Sequence, residues 1–316
     1  MNIFIKNISL ELTSINIWHD SPLKASNLIT PIIIGKYGGN RRNILHVMSH
    51  RNLTDRLERI LSLQMSKIII FGTPKVHDFT GSEAWNSKGI VQKAIKNIKS
   101  NFDKKLEVIA DVCVCQYNLS GHCGIINYED NQVDNDKTLK FMSKIALSYA
   151  ESGADTVAPS SMMDGLVLSI RNNLNDNGFR NRKIMSFSKQ HSCLYSPFRM
   201  TAFKKFSKID KSSYQIGYSN PREMMRKLEL DYHEGADILT IKPSIPNLDL
   251  ISRIVDRVNC RIAVQHVSGE FAMLKVATRN KLIEEPEWLV GYFSSIIRAG
   301  ANHIISYGAE DIAALI

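Results

Sequence analysis

Several absences narrow the possibilities before any motif is considered. Across 316 residues no apolar run approaches the ~18 residues that mark a membrane-crossing helix. The first stretch, Met1 to Ser14, alternates Ile and Leu with polar residues. It has neither the basic start nor the small-residue cleavage site of a secretion signal, so a cytoplasmic protein is expected. There are only five cysteines, an odd number, and without a secretion signal this argues against a disulfide framework. Low-complexity linkers and repeats are missing too. The basic excess, 40 Lys and Arg against 31 Asp and Glu, is scattered rather than gathered into a stripe or tail. Lys93, Lys96 and Lys99, like Lys204 and Lys205, fall where solvated helix faces are expected. Nucleic acid is therefore not an expected partner, because net charge by itself speaks only to non-specific affinity.

What is present is a globular chain with 44% hydrophobic residues, enough for a full core. Short β-branched runs alternate with longer stretches whose apolar residues recur every three or four positions. The runs predict strands over 28–35, 67–73, 106–114, 154–160, 183–188, 236–243, 261–267 and 301–307. Helical spacing falls between them, as in 89–99, 137–151, 163–174, 221–234 and 286–298. Three strands are introduced by one device: Gly153-Ala154-Asp155, Gly235-Ala236-Asp237 and Gly300-Ala301-Asn302. Glycine can end a helix in the left-handed conformation, and alanine lets helix and sheet approach closely. Eight strands with seven crossovers favour a TIM (β/α)₈ barrel, for which a chain of this length suffices. The barrel is expected over residues 28–316, with a sizeable insertion between Phe187 and Gly235. Residues 1–27 are too few for a domain and are expected to form an N-terminal arm making oligomer contacts.

In such a barrel the chemistry sits at the C-terminal ends of the strands. There the sequence offers Asp111, Cys113 and Cys115, then Lys189, Lys242, Ser268 and Tyr307. Lys242 ends Ile238-Leu239-Thr240-Ile241-Lys242. A lysine at that depth favours the neutral amine that attacks carbonyls to make a Schiff base, unless it snorkels to solvent or pairs with Asp237 or Asp249. Lys189 lies in a polar stretch that could equally be exposed. A second amine nearby would nevertheless depress the first by like-charge repulsion. Cys113-Val114-Cys115 followed by Cys123 offers three soft thiolates, which suit zinc with one position left open. Alternatively, Cys113 and Cys115 are small core residues sharing one strand face. His122 is a weak fourth ligand, since adjacent residues seldom bind the same ion.

At this point the residues resemble a family. The run from Asp111 through Gly124 resembles the zinc motif of porphobilinogen synthases (5-aminolevulinate dehydratases). Residues 81–86, 153–165, 235–249 and 267–273 are similar to the same family in the same order, so the resemblance spans roughly 70–308. It implies a lyase that condenses two 5-aminolevulinates to porphobilinogen in tetrapyrrole and haem biosynthesis, assembled as a homo-octamer. It implies Schiff bases at Lys242 and Lys189, Asp111 as an active-site acid, and Cys113, Cys115 and Cys123 as ligands of a catalytic zinc. Ser268 and Tyr307 match carboxylate contacts of the substrate on Lys242. Arg199 and Lys211 match those of the second substrate, with Tyr195, Phe198 and Gln215 also at the substrate site.

The chain departs from the pattern at several positions. Lys211 stands where arginine is common, giving up a bidentate fork. Lys227 replaces a glutamate that binds an allosteric magnesium in many bacterial members, so that ion is not expected. Ser161, Leu166 and Met200 replace charged residues, which suggests a less stable enzyme. The other readings are a class I aldolase, which needs one lysine and leaves the cysteines idle, and a degenerate, non-catalytic zinc-binding barrel.

Overall fold

The computed structural model describes residues 23–35, 45, 47–49, 52–202 and 210–316. Most of the arm expected over residues 1–27 lies outside them, as do Lys204 and Lys205. Only the short turn Ala25–Asn27 is seen before the first strand.

Eight parallel strands form the barrel: β1 (Leu28–Gly35), β2 (Lys67–Thr73), β3 (Glu107–Val112), β4 (Thr156–Pro159), β5 (Lys183–Lys189), β6 (Ile238–Lys242), β7 (Arg261–His266) and β8 (His303–Ser306). They pair in sequence order. Pairing of Leu28 with Ile304 and of Ile29 with Ile305 closes the ring. The predicted strands all form, trimmed by at most three residues, and β5 runs one residue further than expected. Closure explains the near-continuous apolar runs, since the strands are walled by helices outside and packed side chains inside. The outer layer contains α1 (Leu53–Ser62), α2 (Ile90–Phe102), α3 (Asn135–Glu151), α4 (Leu166–Asp176), α5 (Ser196–Ala202), α6 (Pro221–His233), α7 (Leu248–Val255), α8 (Ser268–Arg279), α9 (Glu285–Arg298) and α10 (Ala309–Ala313).

The three glycines of the repeated device do adopt left-handed backbone, with φ of +103° at Gly153, +100° at Gly235 and +107° at Gly300. The third residue of each device has a task the sequence reading missed. Asp155 accepts the backbone N–H of Val108, Asp237 that of Ile184 and Asn302 that of Ile262. In the same places the backbone N–H groups of Asp155, Asp237 and Asn302 donate to the carbonyls of those same residues. Each device thus pins the register of the strand it starts against the neighbouring strand. The two aspartates also bind cations: Asp155 pairs with Lys99, and Asp237 with Arg171. Lys99 is consequently tied down rather than free on a solvated face.

The insertion expected after strand five holds a short turn at Cys193–Tyr195, then α5, the undescribed residues and α6. A small antiparallel hairpin, Ile125–Asn127 with Gln132–Asp134, interrupts the connection from β3 to α3. Among the described residues no helix is long and apolar enough to cross a membrane.

Candidate active site and metal centre

Inward-facing residues of a strand recur every second position, and the last inward position lies at the barrel mouth. On β5 and β6 that position is lysine, and the register places Lys189 directly beside Lys242. Both are 7% exposed. Lys242 Nζ stands 4.2 Å from the centre of the Phe187 ring, and Lys189 Nζ is 3.7 Å from Cys123 Sγ. The snorkelling alternative for Lys242 therefore fails, and neither Asp237 nor Asp249 is its partner: the first binds Arg171 and the second Arg253.

Strand β3 ends at Val112, two residues earlier than expected. The N–H groups of Tyr117 and Asn118 turn back onto the Val114 carbonyl, so Cys113 and Cys115 lie in a turn rather than on a strand face. Asn118 then binds back onto the loop, accepting from Gly121 N and donating to His122 O. Tyr214 holds the far end, accepting the Cys123 N–H at 3.1 Å. Ser161 donates to the Cys123 carbonyl at 2.6 Å. The departure at Ser161 therefore leaves a paired hydroxyl, while Leu166 is buried and Met200 exposed.

These constraints gather three thiols. Ligand atoms of Cys113, Cys115 and Cys123 lie within 4.8 Å of one another, and all three residues are buried. Such a donor set fits a thiophilic metal ion, because soft thiolates at this spacing can converge on one centre. His122 stays outside the cluster, its Nδ1 3.1 Å from Tyr214 Oη.

A cavity of about 60 Å³ lies at the mouth, open to solvent on one side. Lys189, Lys242, Asp111, Cys115, Cys123, Arg199, Lys211, Ser268, Tyr307, Tyr195 and Phe198 all line it. Gln215 does not. It is buried in the turn that follows Lys211, with neither amide atom partnered among the described residues. Phe71, Gln116, Ser160, Gln265 and Val267 also line the wall and were not singled out in the sequence. The same strand-end reasoning reaches Ser160, at the end of the predicted fourth strand, and Gln265, inward on the seventh.

A family model described as Delta-aminolevulinic acid dehydratase matches residues 8–315. The chain belongs to this family. The Delta-aminolevulinic acid dehydratase of Archaeoglobus fulgidus is 40% identical over 302 residues, covering 94% of this chain and 92% of its own. That of Helicobacter pylori is 40% identical over 304 residues, covering 94% and 93%. The crystal structure of the Toxoplasma gondii delta-aminolevulinic acid dehydratase (porphobilinogen synthase), in complex with the reaction product porphobilinogen, superposes with a TM-score of 0.90 at 31% identity. It covers 95% of this chain and 87% of that one. The similarity extends well beyond the 70–308 span of the motifs.

In this dehydratase-family site the charges are arranged unequally. Burial drives Lys242 down to about 7, with the Lys189 charge adding to it and Asp111 opposing. A fall from 10.5 to about 7 corresponds to on the order of 5 kcal/mol lost by the ammonium form. Burial presses hardest on Lys189, yet Cys123, Cys113 and Cys115 together outweigh it, and Lys189 is raised. Hydrogen bonds from the Cys113 and Cys115 thiols hold Cys123 well below the ordinary thiol range, with Lys189 and Lys211 assisting. The Lys211 ammonium lies 3.3 Å from Cys123 Sγ. Burial raises the Asp111 carboxyl against the pull of Lys242. Its Oδ2 accepts from Gln116 at 2.9 Å, while its Oδ1 has no hydrogen-bond partner among the described residues. The two adjacent lysines are thus shifted in opposite directions, Lys242 down and Lys189 up.

Proposed function

We propose that this chain is a zinc-dependent porphobilinogen synthase, condensing two 5-aminolevulinates with the loss of two waters. One observation carries the reading: two adjacent buried strand-end lysines, one of them pressed down to about 7, share a cavity with a buried cluster of three thiols. A class I aldolase would need only one of those amines and none of the thiols.

In this reading the neutral Lys242 amine attacks the ketone of the substrate that keeps its propionate arm, releasing water. Ser268 and Tyr307 hold that substrate's carboxylate. Lys189 forms the second Schiff base, and Arg199 and Lys211 fix the other carboxylate. Gln215 reaches this second substrate only if its side chain turns into the cavity. Tyr195 and Phe198 wall the site. Fixing both carboxylates sets the relative orientation of two identical molecules, so that one carbon–carbon and one carbon–nitrogen bond form in a defined sense. Asp111, with one free oxygen among the lysines, serves as the proton carrier. Cys113, Cys115 and Cys123 would hold zinc, whose open position would supply a Lewis acid for carbonyl polarisation and proton transfer. The assembly is proposed as a homo-octamer built with the N-terminal arm, working in the cytoplasm. The direct test is colorimetric detection of porphobilinogen from 5-aminolevulinate, with and without a zinc chelator. No product from folded, zinc-loaded protein refutes the proposal.

Lys211 offers a point charge where a bidentate fork would bind a carboxylate better. Lys211→Arg is expected to lower the KM for 5-aminolevulinate by about tenfold, the worth of one added charge-assisted bond. An unchanged KM counts against a carboxylate-binding role for Lys211.

Lys227 is paired with Asp231, which is itself buried. The two residues fill with a fixed cation the place where the family resemblance implies a magnesium ligand, and an ammonium repels a divalent ion. Steady-state turnover is expected to be the same with and without added magnesium, and a clear stimulation sinks this reading.

A further inference from the structure

Lys242 ends β6 and Ser268 opens α8 just after β7, yet a single carboxylate holds both of the turns beside them. Glu270, the third residue of α8, is 1% exposed. Its Oε2 accepts the Val267 N–H at 2.6 Å, the back-bond that a carboxylate at this position commonly makes to a helix N-cap. Its other bonds leave the helix altogether. Oε1 accepts the N–H of Ile245 at 2.6 Å, the Ser244 N–H is shared between Oε1 at 3.0 Å and Oε2 at 3.3 Å, and the Ser244 hydroxyl lies 3.0 Å from both oxygens. Ser244 and Ile245 belong to the turn that follows Lys242. Ser268 Oγ in its turn accepts the N–H of Phe198 at 3.0 Å, which extends the tie to α5.

Helix capping alone does not account for this arrangement. A charged group so deeply buried is costly unless several donors compensate it, and the capping bond needs only one of them. The donors are also spread over both oxygens: Oε1 alone takes the Ile245 N–H, Oε2 alone takes the Val267 N–H, and Ser244 reaches both. A planar carboxylate that bridges the two turns in this way fixes their separation.

We propose that Glu270 is a positioning residue that locks the Lys242 turn to the Ser268 turn, holding the Lys242 amine at the right distance from a substrate whose carboxylate rests on Ser268. The proposal rests on the reading of Lys242 as a Schiff-base lysine. Glu270 does not line the cavity, so it acts through Lys242 and Ser268 and not on substrate. An amide in its place keeps the shape but offers one acceptor oxygen in place of two. Glu270→Gln must therefore release one turn or present N–H to N–H.

The test uses full-length, zinc-loaded protein incubated with 5-aminolevulinate and sodium borohydride, followed by peptide mass spectrometry at both lysines. In Glu270→Gln the rate of adduct formation at Lys242 is expected to fall about tenfold relative to that at Lys189, the scale of a misplaced nucleophile. A merely structural loss slows both lysines together, so an unchanged ratio overturns the proposal. If Glu270→Gln does not fold, Ser244→Ala removes one donor from the same carboxylate and should lower the ratio in the same direction. An unchanged ratio there overturns it equally. Wild-type protein that forms no adduct at Lys242 fails the Schiff-base reading itself, and this proposal with it.

Discussion

Lys242→Met is expected to abolish porphobilinogen formation, by at least ~10⁴-fold, the scale of losing a covalent nucleophile. The residue ends β6 in register with Lys189 and is buried against the Phe187 ring, so methionine fills the same space without the amine. Borohydride reduction in the presence of 5-aminolevulinate should then leave no adduct at position 242. The pH dependence follows from the direction of the Lys242 shift. The neutral amine is the attacking form, and the group sits near 7 rather than 10.5 because of burial and the Lys189 charge. Above pH 7 the amine is free and the trapping rate should be level. Below pH 7 it is protonated, and the rate should fall about tenfold for each further pH step. Asp111, facing the same cavity, opposes the shift, so Asp111→Asn should move the break to lower pH. A trapping rate that keeps climbing up to pH 10 would mean that Lys242 is an ordinary solvated lysine, and the proposed nucleophile would be wrong.

Much of this site was legible in the sequence, and the reasons are local. Lysine at the end of an apolar strand stands out because strand phase and barrel topology together place it at one mouth. The cysteine run stands out because its spacing is short. The repeated Gly-Ala-Asp turns gave helix ends and strand starts within a residue or two, since a left-handed glycine is a backbone requirement visible in one residue. The parts that escaped are those that depend on contacts between distant segments. Cys113 and Cys115 look like strand residues until Tyr117 and Asn118 fold back onto Val114. Tyr214 steadies Cys123 from 91 positions away, and no periodicity announces it. Gln215 has the right chemistry for a substrate contact, but its backbone places it beyond the cavity wall. Glu270 reads as an ordinary first-turn carboxylate of a helix, and only the fold shows that most of its donors come from another loop. The resemblance supplied the roles of Arg199, Ser268 and Tyr307. Composition and spacing alone would have left them as polar residues near a rim.

The thiol cluster carries the second large effect. Cys123 is the member whose loss should matter most, because it touches both cationic neighbours: Lys189 Nζ at 3.7 Å and Lys211 Nζ at 3.3 Å. It is also held from three sides, by Tyr214, by Ser161 and by the thiols of Cys113 and Cys115. Cys123→Ala removes one of three soft donors from a cluster that has no fourth ligand among the described residues. Two remaining thiols are too few to hold zinc against a chelator, so purified variant protein should contain far less than one zinc per chain by elemental analysis. Loss of a partner that merely orients a ligand typically costs 10–100-fold, so loss of the ligand itself should lower turnover by more than ~100-fold. Wild-type protein treated with chelator should show the same loss and recover when zinc is returned, whereas the variant should not recover. The fold should persist in both cases, since the barrel closes through strand pairing that does not involve the thiols. Full turnover in protein shown to be free of metal would leave the cluster as three packed side chains and remove zinc from the proposal, while the two lysines would stand.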